Sequence, residues 1–203
     1  EMAGSAGRSC TDDEVRIVRV YDDKRAEPDD LVPMDGKTPG EIIIFPCFKS
    51  TLTYPGNEEL TKDKFYKGWI YTHDLGTWDK NQFITVSGRK DDMIISSGEN
   101  IYPAQVEEAI NCHPSVADCI VTAVPDKARG EAVVAYVIPK DDSLTIKDLN
   151  KYCANHPDLS AYKCPRFYCF VDKIPYNATG KKLHYVVKAQ APEDLEKGIL
   201  QKP

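Results

Sequence analysis

Over roughly the first ninety positions, apolar residues arrive in short β-branched and aromatic runs. EVRIVRVY (14–21), GEIIIFP (40–46), GWIYT (68–72) and QFITV (82–86) each have the length and composition of one strand. Turn residues separate them: PDD at 28–30, PG at 39–40, YPGN at 54–57 and DKN at 79–81. One short helix is expected over 58–65. Several short strands at this spacing predict a meandering or barrel-like sheet.

The texture changes after Gly88. Pro103 suits a first helical turn, and Val106, Ala109 and Ile110 then share a face while Glu107 and Glu108 are expected to point to water. Strands are expected over 116–124 and 132–138. A second helix opens at Thr145, whose hydroxyl stands three residues before Asp148 in the manner of a capping box, with Ile146, Leu149, Tyr152 and Cys153 as its apolar stripe. A strand over 166–171, a loop over 175–180 and a last helix complete the pattern. The expected fold is α+β in two domains: a β-rich, barrel-like part over 1–90, then a small domain over 91–203 whose short sheet is flanked by helices.

Composition narrows the partners. With 41% hydrophobic and 29% charged residues, the 203-residue chain can bury a core. A net charge of −6 argues against nucleic acid or an anionic membrane as partner, because both reward a basic surface. No apolar run nears the roughly 20 residues of a membrane span, and no signal segment opens the chain, so the expected location is the cytoplasm. The seven cysteines are odd in number and form no CxxC pair. They read as packed thiols rather than as a disulfide framework. Cys112 beside His113, and Cys153 near His156, are weak candidates for metal ligands; no metal site is expected. The sequon Asn177-Ala178-Thr179 carries no weight in a reducing compartment.

Three segments carry chemistry. In YTHDLG (71–76), Asp74 offers a forked acceptor suited to a ribose diol, although an Asp before Leu-Gly also serves as a plain turn residue. In SGRKDDMIISSGENIYP (87–103), a strand runs into paired charges and then into Ser96-Ser97-Gly98, where a ligand or a second backbone can come close; a bare connector to the helix fits equally. In PYNATGKKL (175–183), small residues precede Gly180-Lys181. The Walker pattern fails there, because Pro175 and Lys182 occupy its Gly and Ser/Thr positions. What remains is a loop that presents a lysine.

In this order the segments resemble the adenylate-forming superfamily of acyl-CoA synthetases, peptide-synthetase adenylation domains and luciferases. YTHDLG resembles its Y-x-x-x-D-L motif, GRKDDMIISSGENIYPAQVEEAI its hinge and following loop, and IPYNATGKKL its P-x-x-x-x-G-K-x-x-R ending. HPSVADCIVTAVPDKARGEAVVAYVIP and LSAYKCPR, lying between them, also look like family sequence.

The resemblance implies that Asp74 binds the ATP ribose with Arg89 assisting. Asp91 would be the hinge; Gly98, with Glu99 and Asn100 beside it, would line the CoA pantetheine channel; Lys181 would be the catalytic lysine. ATP/AMP and CoA are the implied cofactors, with Mg2+ arriving on the ATP, and a carboxylic acid, fatty acids included, is the implied substrate. The wording of the 98–110 segment favours a CoA ligase. The family's pyrophosphate loop and acid pocket lie upstream of anything seen here, so the chain is expected to be a C-terminal fragment that is inactive without its missing N-terminal domain. A peptide-synthetase-type fragment and a non-catalytic binding or regulatory domain pair stay open as alternatives. His73, Ile95, Ser97, Gln105 and His184 depart from the residues common in the family.

Overall fold

The computed structural model describes residues 4–9, 14–21, 23–46 and 53–203, so Cys10 and Cys47 lie outside the described residues. The chain divides into two compact units, Glu1–Asp91 and Asp92–Pro203.

In the first unit, β1 (Val15–Val18), β2 (Gly40–Ile44), β3 (Phe65–Tyr66), β4 (Trp69–Trp78) and β5 (Ile84–Arg89) form one antiparallel sheet. Its order is β1-β2-β4-β3, with β5 also on β4. The long β4 is the spine, since three strands pair along it. The sequence reading stopped this strand at Thr72. It runs on through His73 and Asp74 because the Thr72 hydroxyl bonds the Ile42 carbonyl (2.7 Å), and a bulge at Leu75/Gly76 absorbs the change of partner.

Alternation sends Ile17 and Ile42 to one face with Trp78 and Ile84, and Val18 and Ile43 to the other with Trp69 and Tyr71. Gly40 stands opposite Gly76, where the backbones close in; a Cβ at Gly40 would meet the Val18 carbonyl oxygen at 2.3 Å. Helix α1 (Glu58–Lys64), capped by Asn57 on the Leu60 N–H, buries no residue.

In the second unit, β6 (Ile94–Ser96), β7 (Glu99–Ile101), β8 (Val116–Asp126), β9 (Gly130–Pro139) and β10 (Phe167–Phe170) form a sheet ordered β10-β9-β6-β7, with β8 on β9. Only β10 runs parallel to its neighbour among these described pairings. Helices α2 (Pro103–Asn111) and α3 (Ile146–Asn155) bury Val106, Ile110, Leu149 and Cys153 against Val121, Ala135 and Tyr168. Helix α4 (His184–Glu196) packs Val187 and Ala191 over Val134 and Tyr136 in a separate cluster, and Asp194 accepts the Tyr136 hydroxyl at 2.7 Å. Residue Leu200 joins that cluster, and Gln201 bridges to Tyr168 on β10 through two backbone bonds of 2.9 Å. Thr145 caps α3 by accepting the Asp148 N–H.

Two sequence expectations change here. Ser96-Ser97-Gly98 does not feed the helix as an open loop. Ser97 (φ 56°) and Gly98 (φ 81°) both adopt the left-handed backbone that a two-residue hairpin turn demands, and they join β6 to β7. Glu107 does not point to water but is 7% exposed. Its spacing explains this: positions 103, 106, 107 and 110 form one helical stripe, so Glu107 lies on the same face as the apolar residues.

The thiols of Cys119, Cys153, Cys164 and Cys169 are buried, and burial pushes Cys153 up to about 11; Cys112 is exposed. Among the described residues no helix is long and apolar enough to cross a membrane.

Both tryptophans lie on β4, whereas three of the helices lie in the second unit. Gly40→Ala should therefore lower the tryptophan-detected urea midpoint, at a cost of about 1–3 kcal/mol. Leu149→Ala should shift the helix ellipticity instead, at about 2–5 kcal/mol. Equal shifts of both signals in either variant would show that the units unfold as one.

Candidate functional site

The first unit places Asp74 of β4 directly across from Arg89 of β5. Arg89 donates from Nη1 to Asp74 Oδ1 (2.9 Å) and from Nη2 to Asp91 Oδ2 (3.3 Å), so one guanidinium serves both carboxylates. The Asp74 N–H donates to the Thr72 hydroxyl oxygen (3.0 Å), and the carboxylate remains 43% exposed. It lines a cavity of about 290 Å3 together with Arg8, Ile42, Thr72 and Val86.

Behind it lies Glu41, 5% exposed, which accepts the His73 N–H (3.2 Å) and faces Lys90 Nζ (3.6 Å). A buried carboxylate is tolerable because it is answered in this way. Burial works to raise the Asp91 carboxyl, but His73 and Arg89 outweigh it and hold it below its ordinary value.

In the second unit the β6–β7 hairpin is tied down by three bonds. Ser97 N–H donates to the Arg129 carbonyl (2.8 Å), Ile95 N–H to Glu131 Oε2 (2.7 Å), and the Ser96 hydroxyl to the Glu131 carbonyl (2.7 Å). A Cβ on Gly98 would meet nothing within 4 Å, so glycine is demanded by φ there and the turn stays open to a visitor. Glu99 and Asn100 are exposed beside it. Arg129 also borders a cavity of about 470 Å3, in which Arg166 and Lys202 stand over an apolar wall of Ala154, Cys164 and Phe167.

The lysine loop is held by its own hydrogen bonds. Asn177 Oδ1 accepts from the Thr179 N–H (3.0 Å), the Thr179 hydroxyl (2.8 Å) and the Lys181 N–H (2.8 Å), and Asn177 N–H returns to the Lys181 carbonyl (2.9 Å). Both legs of the loop grip Asp118 on β8, through the Tyr176 hydroxyl and Lys182 Nζ. Lys182 also donates to the Cys119 carbonyl and lies 3.4 Å from Glu107 Oε2. Glu107 Oε1 takes the Val121 N–H (2.8 Å) and His184 Nε2 (2.7 Å). Lys182 is therefore spent on structure, while Lys181 beside it is exposed.

Sequence reasoning missed Glu107, Asp118, Lys182 and His184. The helical stripe that holds Glu107 was the one readable signal. Burial pulls the His184 imidazole down, but Glu107, helped by Asp92, more than offsets it, and Lys182 opposes; the net direction is upward from 6.5.

Residues 105–181 match the AMP-binding enzyme C-terminal domain. The chain belongs to the adenylate-forming superfamily of AMP-binding enzymes. It is 35% identical over 180 residues to a 2-succinylbenzoate–CoA ligase of Bacillus cereus, a match that covers 89% of this chain and 34% of that protein. A solved o-succinylbenzoate CoA synthetase from Bacillus subtilis, in complex with the acyl-adenylate intermediate, superposes with a TM-score of 0.75 at 34% identity, over 91% of this chain and 35% of that one. An anthranilate CoA ligase in complex with anthranoyl-AMP gives 0.79 at 26% identity, over 97% and 36%. The chain thus spans about a third of the length of the relatives it matches.

A histidine raised in the folded state adds stability below its unfolded value, and that stability is lost as pH climbs through the folded value. The second unit's urea midpoint, followed by helix ellipticity, should therefore fall as the pH rises from about 6.5. His184→Gln should remove that part of the slope. An unchanged slope in the variant would mean that the Glu107–His184 pair contributes nothing.

Proposed function

We propose that this chain is the C-terminal part of an AMP-forming carboxylate–CoA ligase, with 1–90 closing the large domain and 91–203 forming its small mobile domain. The observation that carries the reading is the lysine loop. Its neighbouring cation is neutralised by Asp118 and Glu107, its backbone is pre-set by Asn177, and Lys181 alone is offered outward.

In the first half-reaction a carboxylate oxygen attacks the α-phosphorus of ATP and the bond to pyrophosphate breaks. Negative charge gathers on the α-phosphate, where a positioned ammonium is worth about 3–4 kcal/mol. Asp74 accepts the ribose hydroxyls and Arg89 keeps its carboxylate aimed. Mg2+ enters with the triphosphate.

In the second half-reaction the CoA sulfur attacks the acyl carbon and AMP leaves. The open turn at Gly98, with Glu99 and Asn100, borders the pantetheine path. Arg129, Arg166 and Lys202 suit the phosphates of CoA. Asp91 serves as the hinge between the two steps, so that Lys181 is withdrawn as the Gly98 turn arrives. The acid is left unassigned: the relatives' names span 2-succinylbenzoate, anthranilate and fatty acids, and the residues discussed here face the nucleotide and CoA rather than an acyl group.

In the full-length protein that carries this chain, Lys181→Ala should lower carboxylate-dependent ATP–pyrophosphate exchange about 10²- to 10³-fold. Thioester formation from supplied acyl-AMP should suffer far less, and equal losses in both steps would overturn the two-orientation reading. Asp74→Asn should raise the KM for ATP more than it lowers kcat. The 203-residue chain by itself should show no exchange with any carboxylic acid; measurable exchange would favour a self-sufficient unit.

A further inference from the structure

Asp118 divides its two carboxylate oxygens between the legs of the lysine loop. Oδ1 takes Lys182 Nζ (2.8 Å) and is itself set by the Cys119 N–H (2.8 Å); Oδ2 takes the Tyr176 hydroxyl. Tyr176 and Lys182 face each other as an antiparallel bridge across the neck of the loop. Two backbone bonds of 2.9 Å cross the same neck, Asn177 N–H to the Lys181 carbonyl and Leu183 N–H to the Pro175 carbonyl.

Those crossings close the loop on itself but do not say where it stands on the sheet. Glu107 and the Cys119 carbonyl hold Lys182, and so anchor one leg. Among the described residues, Asp118 is the one group bonded to side chains of both legs. A single attachment lets a loop swivel, whereas a second one on the opposite leg sets its direction.

Neutralising Lys182 does not require Asp118, because Glu107 already faces that ammonium at 3.4 Å. What Asp118 adds is the Tyr176 leg. Burial works to raise the Asp118 carboxyl, but Lys182, Tyr176 and the Cys119 N–H outweigh burial and hold it below its ordinary value. It is therefore ionised at neutral pH, and both bonds to it are charge-assisted.

We propose that Asp118 is a positioning residue for Lys181: by clamping Tyr176 and Lys182 to β8, it sets the direction in which the neighbouring ammonium leaves the loop. The inference rests on the ligase reading for the step in which Lys181 acts, but not for the clamp itself.

The clamp is tested in the 203-residue chain. Asp118→Ala, and independently Tyr176→Phe, should lower hydrogen-exchange protection of the Asn177 and Lys181 amides about 3- to 10-fold, while the α3 amides keep theirs. If α3 loosens as well in Asp118→Ala, Tyr176→Phe decides, because it keeps the ring and removes only a hydroxyl. Unchanged loop protection in both variants overturns the proposal.

The consequence is tested in the full-length protein that carries this chain. Each variant should lower carboxylate-dependent ATP–pyrophosphate exchange about 10-fold and leave thioester formation from supplied acyl-AMP within about 2-fold. Placed on Lys181→Ala, Asp118→Ala should cost nothing more, because no ammonium is left to aim. A loss that persists on Lys181→Ala, or that falls equally on both half-reactions, means that Asp118 only supports the fold and overturns the proposal. If Lys181→Ala alone costs nothing, the ligase reading of that lysine fails, and the exchange data still decide whether Asp118 sets the loop.

Discussion

A carboxylate shut inside a helix–sheet interface must be answered by donors or the fold loses several kcal/mol. Glu107 is that carboxylate in the second unit, and the arrangement around it follows from the need to answer it. Its donors come from three places: the backbone of β8, the lysine after the exposed Lys181, and the first residue of α4. Satisfying one buried acid thereby fixes where the loop leaves the sheet and where the last helix begins. Asp118 completes the arrangement from the rim, taking Tyr176 and Lys182 from opposite legs of the loop. The loop's stiffness is thus a by-product of electrostatic necessity in the core.

The first unit works by a different rule. Apart from the buried Glu41, the charged groups described above sit near its surface, where single pairs contribute little, and order comes from sharing. Arg89 divides itself between Asp74 and Asp91, and His73 between Asp63 and Asp91. Asp91 thus takes part in both, and a change at Asp74 is felt at Asp91 through a single guanidinium.

Much of the architecture was readable in the residues. The β-branched run at 40–46 became β2, Pro103 opened α2, and Thr145 capped α3 with Asp148. The family was readable too, because its motifs keep their order along the chain. Other features were illegible for physical reasons. Three-residue strands such as β6 and β7 carry too little periodicity to register, although Ser97-Gly98 was a hairpin turn in plain view. His-Asp-Leu-Gly looks like a strand's end, yet β4 continues because partners on both sides hold it. The pairing of Asp74 with Arg89, and of Glu107 with His184, depends on register and packing between distant segments, which no local pattern encodes.

One further consequence lies at the far edge of the second sheet. Strand β10 has β9 on one side, and on the other it meets Gln201 through two backbone bonds while Leu200 is buried beneath. Exposed strand edges invite pairing between copies, and proteins that leave them bare aggregate. The tail beyond α4 covers part of that edge. The same few residues bring Lys202 to the rim of the basic cavity, so trimming them would bare that strand edge to a second copy and at the same stroke remove one of the three cations proposed for the CoA phosphates.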